Sequence, residues 1–174
     1  MKGALFTGCA FLFLAVATTL RADSPDPVEQ IPDGIKGNHG NPPIRIDPND
    51  IMVTKDSFRP PIEITIVAKT DSKNLRIGYT ADDVIFNWEG DEKQLRVDGG
   101  PGDGKHQMGK GEIPIDKYVT IKWVVTKTEE TISVDGDVRF DNVGDYSKIN
   151  KPISIFGYGP AILKVMSLTT KQLQ

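Results

Sequence analysis

The sequence predicts an all-β protein, specifically a two-sheet antiparallel β-sandwich of jelly-roll type, and three observations carry that expectation. From Ile51 onward apolar side chains recur with a period of two, not 3.6. Clusters of Asp, Asn, Ser and Gly break that alternation about every 10 residues, a rhythm suited to antiparallel sandwiches. No stretch of a dozen residues after the N-terminal segment carries a helical stripe. About nine or ten strands in so short a chain exceed what one open sheet can cover with its own residues, whereas two packed sheets bury each other's apolar faces.

The first 22 residues read as a secretion signal. Lys2 supplies the positive start, Ala4 to Ala17 the apolar run, and Leu20-Arg21-Ala22 a small-residue cleavage site. The run is too short to span a bilayer and polar sequence follows it, so the exported chain is expected to keep no membrane span and to be secreted, periplasmic or extracellular after cleavage near Ala22. Cys9, the single cysteine, lies inside this segment. Its loss on processing excludes a disulfide framework, a thiolate nucleophile and cysteine metal ligands. His39 and His106 stand in no zinc-binding spacing. Lys2 and Arg21 leave with the signal and no acid does, so the formal charge of −3 becomes two units more negative. With no run of Lys and Arg, a nucleic-acid partner is not expected.

Residues 23 to 50 hold Pro25, Pro27, Pro32, Pro42, Pro43 and Pro48 with few large apolar side chains, and read as a leader or linker. The alternative is that Ile44, Ile46 and Ile51 to Val53 start an edge strand between flanking prolines. The sandwich is expected over residues 51 to 174. Ile62, Ile64, Ile66 and Ala68 alternate with Glu63, Thr65 and Val67; Leu75, Ile77 and Tyr79 with Arg76 and Gly78; Val84, Phe86 and Trp88 with Ile85 and Asn87. Asp71 to Asn74 and Thr80 to Asp83 supply turns, because short Asx side chains hydrogen-bond their own backbone and tolerate left-handed conformations. Val119, Ile121, Trp123 and Val125 share one face of the next strand. Thr131 to Val134 and Val138 to Phe140 flank Asp135-Gly136, the pair a type I′ hairpin turn prefers. Ile153 to Phe156 and Ile162 to Leu168 close the series, parted by Gly157-Tyr158-Gly159-Pro160.

The stretch Ser57 to Ile66, the strand Tyr118 to Trp123, the Ile132-Ser133-Val134-Asp135-Gly136 hairpin and the closing strand Ile162 to Leu168 together resemble concanavalin A-like lectin/glucanase domains. Laminin-G-like modules and the secreted domains grouped with 3-keto-disaccharide hydrolases are the nearest in character. The resemblance spans residues 51 to 170. It implies a jelly roll used for glycan or extracellular protein binding and, in some branches, for glycoside cleavage. The retaining glucanases of that group set two carboxylates about 5 Å apart from alternating acids on one strand. The comparable strand here, Glu63-Ile64-Thr65-Ile66-Val67-Ala68, carries one acid, which favours a non-catalytic binding module over a glycan-acting hydrolase or lyase; a structural, envelope-associated protein with no small ligand is the third reading.

Candidate site residues follow from chemistry. In Asp98-Gly99-Gly100-Pro101-Gly102-Asp103-Gly104-Lys105-His106, Asp98 and Asp103 with glycine-freed carbonyls offer the hard oxygens Ca²⁺ prefers; the alternative is a connection whose glycines serve only chain reversal, with no cofactor. Sugar recognition pairs a flat aromatic ring with polar partners for hydroxyls. Trp123 shares a face with Val119, Ile121 and Val125 and reads as core; Tyr79 and Trp88 follow apolar faces near strand ends; Tyr158, between two glycines, is the expected exposed ring. If the apolar partners point inward, Arg76, Asn87, Glu63 and Lys122 project outward and could line one polar concave face. The acids of the Glu129-Glu130 turn are expected in solvent. An enzyme would require Glu63, Asp98, Asp103 and His106 to converge in one cleft.

Overall fold

The computed structural model describes residues 43–174. The secretion-signal reading and the leader up to residue 42 lie outside the described residues. The described chain forms 12 strands in two antiparallel sheets of six, with one short 3₁₀ turn, so the expected β-sandwich jelly roll is the fold observed.

The first sheet contains β1 (Ile44–Ile46), β12 (Leu163–Gln172), β3 (Ile62–Thr70), β8 (Val119–Val125), β9 (Glu129–Val134) and β10 (Asp137–Val143), in that spatial order. The second contains β2 (Ile51–Val53), β11 (Ser154–Phe156), β4 (Leu75–Gly78), β5 (Asp83–Phe86), β6 (Gln94–Asp98) and β7 (Gln107–Met108). Ile44–Ile46 and Ile51–Val53 are therefore separate edge strands, one on each sheet, and the sandwich begins ahead of residue 51. Non-consecutive neighbours in both sheets are crossings between layers, which is how a jelly roll lets each layer cover the other.

Alternation builds the interior. On β3, Ile62, Ile64, Ile66, Ala68 and Thr70 are buried while Glu63, Thr65, Val67 and Lys69 face out. The inward residues meet Leu75, Ile77, Val84, Phe86, Leu95 and Val97 from the second sheet in one continuous cluster. Trp123 lies at its centre with its ring edge against Tyr79, centroids 6.0 Å apart and planes at 87°, the edge-to-face arrangement aromatic quadrupoles favour. The Asp135-Gly136 turn has φ of 50° and 88°, the two positive values a type I′ turn needs, and it connects β9 to β10 as expected.

Two expectations change inside this frame. The strand β6 was not anticipated, although Leu95 and Val97 alternate with Gln94, Arg96 and Asp98; Asp98 therefore ends a strand rather than opening a loop. Glu130 is buried, not solvated. As the second residue of β9 its side chain enters the sandwich, where its carboxylate accepts hydrogen bonds from Thr80 Oγ1, Trp123 Nε1 at 2.9 Å and Tyr146 Oη at 2.8 Å. Asn142 Nδ2 donates onward to Tyr146 Oη and to Pro101 O. Three converging donors satisfy a carboxylate that apolar surroundings alone would expel. Burial, with the Glu130 hydrogen bond and charge added, raises the Tyr146 phenol above its ordinary range.

The Gly-rich segment is fixed on this interior. Gly100–Gly102 forms the 3₁₀ turn. Gly100 has φ of 67° and lies so close to Thr80 O that a side chain there would collide with backbone. Gly99 N–H donates to the Asp103 carboxylate at 2.6 Å, and Gly104 N–H to Val97 O. Among the described residues no helix is long and apolar enough to cross a membrane.

Candidate functional site

The outer face of the second sheet is organised by register. Ile51, Phe156, Arg76, Ile85 and Arg96 stand opposite one another across β2, β11, β4, β5 and β6, and Asp83 faces Asp98 in the next row. Ile85 is only 2% exposed although it points away from the interior cluster, because the long side chains of Arg76 and Arg96 flank it on either side.

Each arginine joins an aromatic ring to carboxylates. Arg76 lies over the Tyr158 ring, its guanidinium carbon 4.8 Å from the centroid, and Arg96 over Trp88 at 4.6 Å. Arg76 donates from Nε and Nη2 to Asn74 Oδ1, from Nη1 to Asp83 Oδ2 and from Nη2 to both Glu89 oxygens. Arg96 Nε donates to Asp98 Oδ2 at 2.7 Å. Like-charged side chains directly opposite in a sheet repel. At Asp83, burial and the charges of Asp98 and Asp82 together outweigh the pull of Arg76, and the carboxyl titrates above its ordinary range.

A groove of about 390 Å³ runs along one end of this face, lined by Ser72, Lys73, Asn74, Glu89, Tyr158, Gly159 and Pro160. Tyr158 is 60% exposed: one side of its ring rests against Arg76 while the rest meets solvent. The loop after β11 holds it there, with Ile162 N–H donating to Asp71 Oδ1 at 2.9 Å. Asn74, whose φ of 66° fits the turn read from Asp71 to Asn74, is buried under Arg76.

The remaining candidates separate from this cluster. Glu63 and Lys122 lie on the outer face of the first sheet, paired at 3.4 Å, so they share no concave face with Arg76. Asn87 does not project outward. It is buried, with φ of 50°, and clamps Ile113 by accepting its N–H at 2.8 Å and donating Nδ2 to its carbonyl at 2.9 Å. That left-handed residue ends the alternation of β5 and takes Trp88 out to Arg96 at the rim. His106 Nδ1 accepts the Val97 backbone N–H at 3.1 Å, which commits that nitrogen to holding β6. Asp98 is engaged by Arg96 and Asp103 by Gly99; among the described residues no group of three or more His, Cys, Asp or Glu side chains is arranged to hold a metal ion. Glu63 lies across the sandwich from Asp98, so the four residues an enzyme would require do not converge.

Arg96, Asp83, Glu89 and Asn74 complete the cluster without having been singled out for it in the sequence, and Trp88, read as a core ring near a strand end, joins it at the rim. The alternation of Gln94 to Asp98 was the available signal, since it sets Arg96 in register with Arg76 through Ile85.

No family model matches the chain, and no curated protein matches it. Solved structures do share its fold. The carbohydrate binding module CBM66 from Bacillus subtilis superposes with a TM-score of 0.53 at 10% identity, over 72% of this chain and 83% of that one. The exoplasmic/lumenal domain of VIP36, in a Ca²⁺/Man3GlcNAc-bound form, gives 0.54 at 13% identity over 76% and 81%. CG-16, a homodimeric agglutinin from chicken liver, gives 0.52 at 14% identity over 70% of this chain and all of that one. The chain shares the two-sheet antiparallel jelly-roll fold of these three structures.

Proposed function

We propose that this protein is a secreted, non-catalytic module that binds carbohydrate through the groove beside Tyr158 and the adjoining outer face of the second sheet. One observation carries the reading: an exposed aromatic ring, backed by a guanidinium, borders a mostly apolar groove with the partly exposed Glu89 and Lys73 at its rim. A sugar presents an apolar ring face and a fringe of hydroxyls, and this arrangement offers a partner to each. The fold adds a precedent by analogy: a carbohydrate binding module, an agglutinin and a domain crystallised with Man3GlcNAc share it.

Export rests on the Lys2 to Ala22 pattern, and glycans displayed outside a cell are the matching targets. The test is a glycan array probed with the exported chain, with and without EDTA. Binding is expected, and EDTA is expected to leave it unchanged, since Asp98 and Asp103 already hold Arg96 and Gly99. A folded chain that binds no glycan overturns the proposal. Loss of binding on EDTA treatment would return Asp98 and Asp103 to the role of calcium ligands.

A further inference from the structure

We infer that the Tyr158 groove selects neutral sugars, holding their apolar face on the ring and their hydroxyl hydrogens on the Glu89 carboxylate that Arg76 positions, and rejects uronic-acid and sulfated glycans. The inference rests on the carbohydrate reading above and narrows it to a ligand class.

The cations come first, because an anionic glycan would have to find one. Arg76 is 12% exposed, and Nε, Nη1 and Nη2 all donate to Asn74, Asp83 or Glu89. Lys73, the cation on the groove wall, is 2.8 Å from Glu92. Arg96 is bound to Asp98 and covered on one side by Trp88. A carboxylate or sulfate entering here would meet Glu89 on the groove wall and Glu92 beside Lys73, and like charges held close repel.

The acceptors are the reverse case. Glu89 is 39% exposed, and each of its oxygens accepts from the same Arg76 nitrogen, at 3.2 and 3.3 Å. An ionised carboxylate has about four lone-pair sites, so Glu89, at the rim of a mostly apolar groove, keeps acceptor capacity open to solvent. Sugar hydroxyls are donors that add to this network without breaking it, and hydrogen bonds to an ionised acceptor are the stronger kind. Arg76 thereby acts as a positioning residue: it orients Glu89 and Asp83 and backs the Tyr158 ring.

The test prints neutral gluco-, galacto-, manno-, xylo- and fructo-oligosaccharides beside oligo-uronates and sulfated oligosaccharides on one array, and probes it with the full chain and with Glu89→Gln. Binding is expected on neutral sugars alone, with little change up to about 0.5 M salt, where a charge-driven contact would be screened. Glu89→Gln, altered at a partly exposed position, is expected to keep its fold and to weaken that binding by about tenfold or more. Binding to the uronates or sulfated sugars that fades as salt rises would overturn the inference and leave the carbohydrate proposal standing. So would neutral-sugar binding that Glu89→Gln leaves intact. A folded chain that binds neither class brings down both.

Discussion

The two outer faces of the sandwich follow the same pleat and carry different chemistry. On β3 and β8 of the first sheet the outward residues form isolated contacts: Glu63 with Lys122 at 3.4 Å, and Lys69 with Asp116 at 3.3 Å and with the Tyr118 ring. On the second, Arg76 alone engages Asn74, Asp83, Glu89 and Tyr158, and a second arginine repeats the pattern two strands away. Exposed single ion pairs contribute little, roughly 0–1 kcal/mol, and any soluble sheet carries a few. A connected network that covers Ile85, opposes Asp83 to Asp98 and borders a groove is not needed to keep a face in water. The contrast separates a solvated surface from a built one.

The largest test asks whether both faces depend on one interior. Trp123→Ala removes the ring packed on Tyr79 and one of the three donors to Glu130, and is expected to cost about 3–5 kcal/mol in denaturant unfolding. Because Glu130 ties β9 to Thr80 beyond β4 and to Tyr146, the two faces are expected to melt together in a single transition. Separate transitions for the two sheets would break the picture of a shared core.

Next in size is Tyr158→Ala. The ring is exposed and its removal is expected to change stability by less than about 0.5 kcal/mol. Affinity for an array-positive glycan should fall by about tenfold, the order of a lost aromatic contact. Equal melting losses for this variant and Trp123→Ala would show that the exposed ring is structural after all.

How far these residues were legible in the sequence follows from what alternation can report. Period two gave the strands, the burial of Trp123 and the Asp135-Gly136 turn, because each depends on neighbours in the chain. Tyr158 could be read as exposed from Gly157 and Gly159 alone. What alternation cannot assign is which sheet a strand joins. Glu63 and Lys122 point outward as read, but from the layer opposite Arg76, since β3 and β8 pair in one sheet and β4 and β5 in the other. Asn87 failed for a local reason: its left-handed backbone stops the period one residue before Trp88, so residue and ring exchange the roles that counting assigns them. Glu130 was misread because a charged residue near a turn is usually solvated, and only Thr80, Trp123 and Tyr146 brought together from distant positions make its burial affordable.

A smaller effect sharpens the comparison through pH. The Asp83 carboxyl is raised, first by burial and then by Asp98 and Asp82 against the opposing pull of Arg76. An acid whose folded pKa exceeds its unfolded value of about 3.9 stabilises the fold while protonated, and that contribution disappears as pH rises through the folded value. Asp83→Asn, which cannot ionise, is therefore expected to gain stability relative to the wild type as pH climbs from about 4 into the neutral range, by no more than about 1 kcal/mol. Thermal melts of both proteins across that range measure it. A wild type that gains on the variant over the same window would mean that Arg76 more than offsets the burial, and the second face would lose its mark of strain.

The smallest expected effect is the control that gives the others their meaning. Lys122→Ala deletes the cation of an ion pair whose side chains are 47% and 27% exposed, on the face opposite the Tyr158 groove. Solvent screening leaves such a pair worth a few tenths of a kcal/mol, so stability should stay within about 0.5 kcal/mol and glycan binding should not change. The measurement to make is binding, on the same array spots that report Tyr158→Ala. If Lys122→Ala weakened binding as much as Tyr158→Ala does, the ligand would have to span both layers or sit on the first sheet. The aromatic and arginine network of the second sheet would then be left with no ligand to explain it.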